Sequence, residues 1–363
     1  MQKSVYVSPA EFHKIFYRRF VIVADIGGTN TRVAVLGVKE PKKYDIIFRN
    51  NYLTSEVKSI EFALNDALKH AKEEYDIETD TACLGSAGAI VRTGERSYVK
   101  LTNTSLEIDT SKVLPKTMLK RLILINDFEA IGYGLDLLDL SKDVKRLTNP
   151  ESMDCSEEST MAVIGAGTGL GMAIVPYSRE RHLHRPFPSE GGHMELASHD
   201  LIELELVHFL KKKIALKDYH PDIEDVVSGS GIENIYDFFS SKHPETAISR
   251  RIKQLRNEEK IKMISESYHQ DPICKRTIDM FIKFYGRAAR SLALLSQPYA
   301  GLFITGGIAQ RHPDWMGKLF LEEFLRHEKK SDFIWKIPVY TITNPDVSLY
   351  GCCNVAVNFP KED

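Results

Sequence analysis

Val21-Ile22-Val23-Ala24-Asp25-Ile26-Gly27-Gly28-Thr29-Asn30-Thr31-Arg32-Val33-Ala34-Val35-Leu36 is the stretch that decides the fold. Two β-rich apolar runs flank a glycine turn, the pattern of a hairpin. The same plan returns at Gly165, 140 residues after Asp25. There Met161-Ala162-Val163-Ile164 leads into Gly165-Ala166-Gly167-Thr168-Gly169-Leu170-Gly171, and Met172-Ala173-Ile174-Val175 follows. A third apolar run, Leu302-Phe303-Ile304-Thr305, ends in Gly306-Gly307.

Around these units strands and helices alternate. Ile60, Ala63, Leu64, Ala67, Leu68 and Ala71 recur at i, i+3 and i+4 and predict an amphipathic helix. Buried strands are expected near 81–84 and 122–125, and helices over 128–138, 201–210 and 277–295. The polar stretch 143–160 reads as a surface loop, and 250–267 as a helical insert. Alternation of this kind predicts an α/β protein of two related lobes. At the N-terminus, Ser8-Pro9-Ala10-Glu11 carries an N-cap, an early proline and a capping-box glutamate, so a short amphipathic helix is expected there.

The bulk properties exclude several classes. The chain has 363 residues, 43% of them hydrophobic, which is enough for two cores. Its 48 basic and 50 acidic residues nearly cancel, so nothing points to nucleic acid as a partner. No apolar run approaches a membrane span, and the N-terminus has no signal-peptide core. Five scattered cysteines without a CxxC pair indicate neither a disulfide framework nor a thiolate zinc site. A reducing, cytoplasmic setting is expected.

Three constellations carry chemistry. The first is the glycine-rich hairpins. No GxxxxGK[ST] occurs, and Leu170 and Met172 stand where GxGxxG would need its last glycine. What remains is a pair of turns whose backbone N–H groups can approach phosphate oxygens closely, with Thr29 and Thr168 adding hydroxyls. Either turn alone also reads as an ordinary tight turn. Without a Walker lysine the phosphate charge needs a divalent cation, and Asp25 is placed to hold one through water.

The second is Asn126-Asp127 at the end of an apolar strand, the usual place for a catalytic group in an α/β protein. Asp127 is a candidate general base; a cap for the following helix is the competing reading. The third is Glu190-Gly191-Gly192-His193, where two glycines let a carboxylate and an imidazole converge on a polyhydroxyl ligand. A metal site with Glu195, His182 and His184 competes with it, but the HExxH spacing is missing.

In order, ADIGGTNTRVAV, LTNTSLEID, LINDFEA, IGAGTGLGMAIV, SEGGHMELA, EDVVSGSGIENIY and GLFITGGI run through the chain. With these motifs the sequence resembles the bacterial-type glucokinases of the hexokinase/actin-like ATPase superfamily, from about residue 20 to 359. The resemblance implies a two-lobed actin-like (ribonuclease H-like) α/β fold with a cleft between a small and a large domain. Its boundaries would be an N-terminal extension at 1–19, a small domain of 20–126 plus about 345–363, and a large domain of 127–344.

It implies ATP with Mg²⁺ and a glucose site of Asn103, Asn126, Asp127, Glu190, His193 and Glu224, with Asp127 as base. Asp25, Gly27, Gly28, Thr29 and Asn30 would meet the β/γ-phosphates and metal. Gly165, Gly167, Thr168 and Gly169 would meet phosphates from the other lobe, and Gly306-Gly307 would border the adenosine. A homodimer is a frequent state in that family. The zinc motif CxCGxxGCxE of related repressor/kinases is replaced after EGGH by Met194-Glu195-Leu196, so no structural zinc is expected. A kinase for another hexose or amino sugar shares these phosphate motifs. A silent sugar sensor or a sugar-independent ATPase are the readings from other classes.

Overall fold

The computed structural model describes residues 3–7, 12–101, 104, 106–148, 158–180, 182–215, 218 and 220–359. The chain divides into two compact units. One comprises Met1–Asp143, His182–Pro188 and Asn344–Asp363; the other comprises Val144–Arg181 and Ser189–Thr343.

In the first unit a six-stranded sheet runs in the order Lys3–Val7, Lys43–Leu53, Asn30–Glu40, Arg19–Ile26, Thr81–Ser86, Arg121–Asn126. The first three pairings are antiparallel and the last two parallel. The run 21–24 is apolar throughout because both faces of its strand are covered. Ile22, Ala24 and Ile26 pack with Ile60, Ala63, Leu64 and Ala67 of the Ile60–Tyr75 helix. Val21 and Val23 face the other way, onto Ala130, Leu349, Cys352 and Cys353. The Asp127–Gly134 helix packs here against Val347–Asn358, where Asn354 Nδ2 donates to Tyr133 O at 3.0 Å and Tyr133 meets Phe359 edge-on. That packing carries the first unit past residue 126.

Among the described N-terminal residues, none lies in an α-helix. Lys3–Val7 is instead an edge strand antiparallel to Lys43–Leu53, with Val5 opposite Asn50, and Lys14–Phe16 is a single 3₁₀ turn. Residues 8–11, which carried the capping signature, lie outside the described residues. Ile15 and Phe16 are exposed, while Phe12 and Tyr17 join Phe20 and Tyr75 in an aromatic cluster. The alternating Lys3-Ser4-Val5-Tyr6-Val7 run satisfies an otherwise open sheet edge.

The second unit repeats the plan. Met161–Ala166 pairs antiparallel with Leu170–Val175 and parallel with Gly301–Thr305, which is itself parallel to Val339–Ile342. Val144–Arg146 adds an antiparallel edge. Ala162, Ile164 and Ala166 pack on Ile278, Phe281, Tyr285, Ala289 and Leu292 of the 25-residue helix Pro272–Ser296. Tyr285 is fully buried; its hydroxyl accepts from Ala166 N at 3.2 Å and donates to Thr305 O at 3.3 Å. One side chain thus ties together the ends of the two strands that lead into glycine loops.

The insert 250–267 forms the Ala247–Ile252 and Asn257–Glu266 helices. Half of the polar 143–160 stretch (149–157) lies outside the described residues. Cys83, Cys274, Cys352 and Cys353 are buried free thiols, and Cys155 is outside the described residues. Among the described residues no helix is long and apolar enough to cross a membrane.

Candidate active site

In the first unit Ile26, Ser86 and Asn126 stand abreast on three neighbouring parallel strands. At ~4.8 Å per strand, the strand end carrying Asp25 lies roughly 10 Å from the one carrying Asn126. The register therefore brings the first glycine turn and Asp127 to one edge of the sheet, at the strands' carboxyl ends.

Asp25 is half-buried, and its Oδ2 accepts from Ser348 Oγ at 2.7 Å and from the Arg32 guanidinium. Arg32 sits opposite Asp25 in the hairpin register and donates onward to Pro345 O at 2.6 Å and Asp346 Oδ1 at 3.3 Å. Arg49 binds the same Asp346 oxygen. The turn itself is braced: Gly27 N donates to Asn30 O at 2.9 Å, Thr54 Oγ1 to Gly27 O at 2.7 Å, and Thr54 N to Thr29 O at 2.9 Å. The N–H groups of Gly28 and Thr29 have no backbone acceptor among the described residues.

Asn126 turns out to be the cap of the Asp127–Gly134 helix. Its Oδ1 accepts from Phe128 N at 2.9 Å and Glu129 N at 3.3 Å, and the Glu129 carboxylate returns to Asn126 N, completing a capping box. Asn126 Nδ2 points to Gly88 O at 3.4 Å. Asp127 occupies the first helical position, and its Oδ1 accepts from Phe128 N at 2.9 Å. The capping work belongs to its neighbour, and the helix N-terminus favours a carboxylate at 127. Asn103 lies outside the described residues.

In the second unit the hairpin turn 167–169 is closed by Gly167 N to Gly169 O at 2.8 Å, and Gly229 N donates to Gly167 O at 2.8 Å. Gly165 pairs with Gly171 across the strands, the position Asp25 and Arg32 hold in the first hairpin. Thr168 is exposed at the tip, and the N–H groups of Thr168 and Gly169 have no backbone acceptor among the described residues. Gly306 has φ +91°, and a Cβ there would lie 2.4 Å from Ala166 O, so only glycine lets this loop settle on the hairpin base. Gly307 opens the short Gly307–Arg311 helix beside it.

Glu190-Gly191-Gly192-His193 forms a 3₁₀ turn, with His193 N donating to Glu190 O at 3.0 Å. The loop lies on the second hairpin: a Cβ at Gly192 would sit 2.2 Å from Leu170 O, and one at Gly191 2.9 Å from Met172 Sδ. Glu224 N donates to Gly192 O at 2.9 Å, and the Glu224 carboxylate accepts from Leu170 N at 2.7 Å. His193 Nδ1 meets Asp222 Oδ2 at 2.8 Å, which places the proton on Nδ1 and turns Nε2 outward as the second polar atom. Asp222 is held in turn by reciprocal bonds with Asp225.

The His193 pKa is raised above its usual 6.5, chiefly by the Asp222 hydrogen bond; partial burial opposes this and the charges of Glu224, Asp222 and Glu190 add to it. The pairing stabilises the fold fully below about pH 6.5, and its contribution is lost as pH rises through the raised folded value. Asp222→Asn should move the His193 titration, followed by NMR of its ring protons, back towards 6.5. An unmoved titration would remove Asp222 as the cause.

Of the two histidines in the competing metal reading, His184 is buried in the first unit with Nδ1 2.7 Å from Asp136 Oδ1. Among the described residues no group of three or more His, Cys, Asp or Glu is arranged to hold a metal. Arg32, Ser348 and Asp222 escaped the sequence reading. Arg32 was findable, since a turn at 27–30 sets it opposite Asp25; Ser348 and Asp222 carried no such signal.

A family model described as Glucokinase matches residues 22–358. A glucokinase of Nostoc punctiforme is 31% identical over 345 residues, covering 91% of this chain and 97% of that one. The crystal structure of a glucokinase from an Antarctic psychrotroph superposes with a TM-score of 0.73 at 27% identity, over 93% of this chain and 99% of that one. A ROK family glucokinase from Streptomyces griseus, solved with glucose and AMPPNP, shares the fold at a TM-score of 0.58 and 20% identity, over 93% and 99%. These solved structures have the two-domain actin-like ATPase fold expected from the motifs. Matched across both hairpins, the Asn126-Asp127 strand end and the Glu190–His193 turn, the chain belongs to the glucokinase family of hexose kinases.

Proposed function

We propose that the protein transfers the γ-phosphoryl group of ATP to the 6-hydroxyl of glucose, giving glucose 6-phosphate and ADP. The observation that carries this reading is the register that sets Asp127 and the Asp25 turn on one sheet edge, while Asn126 supplies the helix cap. Asp127 then has a chemical role: its carboxylate takes the proton of the 6-hydroxyl as that oxygen bonds to the γ-phosphorus. The bond from phosphorus to the β-phosphate oxygen breaks, and ADP leaves with that electron pair. Glu190, His193 and Glu224 supply acceptors and a donor for the remaining hydroxyls, and Asn126 retains amide hydrogens for them. The amides of Gly28, Thr29, Thr168 and Gly169 are the donors for phosphate oxygens.

The donor set at Asp25 fits magnesium. Oδ2 is taken by Arg32 and Ser348, whereas Oδ1 accepts no hydrogen bond among the described residues, and a lone carboxylate reached through water suits that ion. A magnesium ion bound there with the nucleotide would neutralise phosphate charge. Arg32 fixes the carboxylate's orientation.

A coupled ADP-release assay over glucose, mannose, fructose and glucosamine, with ATP or polyphosphate as donor, tests the assignment. Glucose with ATP should give the highest kcat/KM. A different hexose exceeding it tenfold or more would transfer the assignment to that sugar.

A further inference from the structure

We propose that Glu224, besides any contact with sugar, is a positioning residue that sets the geometry of the phosphate hairpin 167–169. The inference rests on the kinase reading above. Its carboxylate Oε2 accepts the Leu170 N–H at 2.7 Å, immediately after the turn. A Cβ on Gly169 would lie 2.5 Å from the same oxygen, so the carboxylate is pressed against the turn's backbone. The backbone of Glu224 is equally committed on its other side: its N–H donates to Gly192 O at 2.9 Å, inside the Glu190–His193 turn, and Ile223 N donates to Met194 O at 3.0 Å.

Glu224 O accepts from Ser228 Oγ at 2.8 Å, and Ser228 caps the Gly229–Lys242 helix through Gly231 N. The first residue of that helix, Gly229, donates to Gly167 O at 2.8 Å. A closed circuit therefore runs from the acceptor turn through Glu224 to both ends of the phosphate turn. The turn's amides aim as its two ends are held, so the carboxylate on Leu170 N helps determine where the Thr168 and Gly169 N–H groups point. A ligand drawing on the other oxygen of Glu224 shifts the same carboxylate, and the two substrates then feel each other through one side chain. Reciprocal coupling is the thermodynamic signature of such a link.

The test measures AMPPNP binding by calorimetry without sugar, then with glucose, for the wild type, Glu224→Ala, Glu224→Asp and Glu224→Gln. A glutamine amide oxygen can still accept the Leu170 N–H, whereas the aspartate carboxylate falls one methylene short. Glu224→Ala and Glu224→Asp should weaken AMPPNP alone by about tenfold or more, the scale of a charge-assisted hydrogen bond. Glu224→Gln should stay within about threefold of wild type, under half of that loss on a logarithmic scale. In steady state the KM for ATP should rise in the first two and be rescued in the third. Should Glu224→Ala fail to fold, the contrast between Asp and Gln decides. Unchanged AMPPNP binding in Glu224→Asp, with only glucose weakened, would overturn the inference. Failure of the kinase reading looks different: wild-type protein without hexose-dependent ADP release.

Discussion

Asp127→Asn lowers kcat for glucose phosphorylation by about 10²–10⁴-fold, the usual contribution of a positioned general base. The KM for glucose should change little, because asparagine keeps the size and an acceptor oxygen for Phe128 N, which Asp127 Oδ1 holds at 2.9 Å. The helix should survive as well, since its capping box is built from Asn126 and Glu129. Steady-state kinetics beside a thermal melt check this. A variant that turns over at a near-normal rate removes Asp127 from proton transfer. One that unfolds shows the carboxylate to be structural.

Gly192→Ala should be the most damaging single-methyl change at the acceptor turn. The new Cβ would lie 2.2 Å from Leu170 O, so either the turn or the second hairpin must move. Forced repacking of this kind costs about 1–3 kcal/mol. For units of this size each lost kcal/mol lowers Tm by roughly 2–4 °C. Displacing Glu190 and His193 by even 1 Å should cost about 100-fold in kcat/KM. Gly167→Ala is the control, because nothing lies within 4 Å of a Cβ there, and its Tm should match wild type. Equal melts for the two variants would mean that the turn does not rest on the hairpin as described.

Much of this is legible in the sequence. Alternation is invisible in the all-apolar run 21–24, but the glycine turn that follows it predicts the hairpin, and burial on both faces explains why polar residues are missing before Asp25. The repeat between Asp25 and Gly165 became a repeated topology of antiparallel hairpin plus parallel neighbour. The turns are not identical: four residues separate Ile26 from its partner Thr31, and three separate Ala166 from Leu170.

What stayed hidden is long-range. Ser348 reaches Asp25 across 323 residues of sequence, and Asp346 collects Arg32 and Arg49 by the same accident of folding. At the N-terminus Lys3–Val7 pairs along a sheet edge that only the tertiary fold creates. Glu224 was legible as a motif residue, but its hold on Leu170 depends on two loops meeting.

Incubating the protein with ATP and glucose, and following the products by ³¹P NMR, tests the central claim most directly. The account predicts ADP formed in step with a phosphate ester at the 6-position of glucose, and almost none without sugar. Release of inorganic phosphate at the same rate with and without glucose would contradict it.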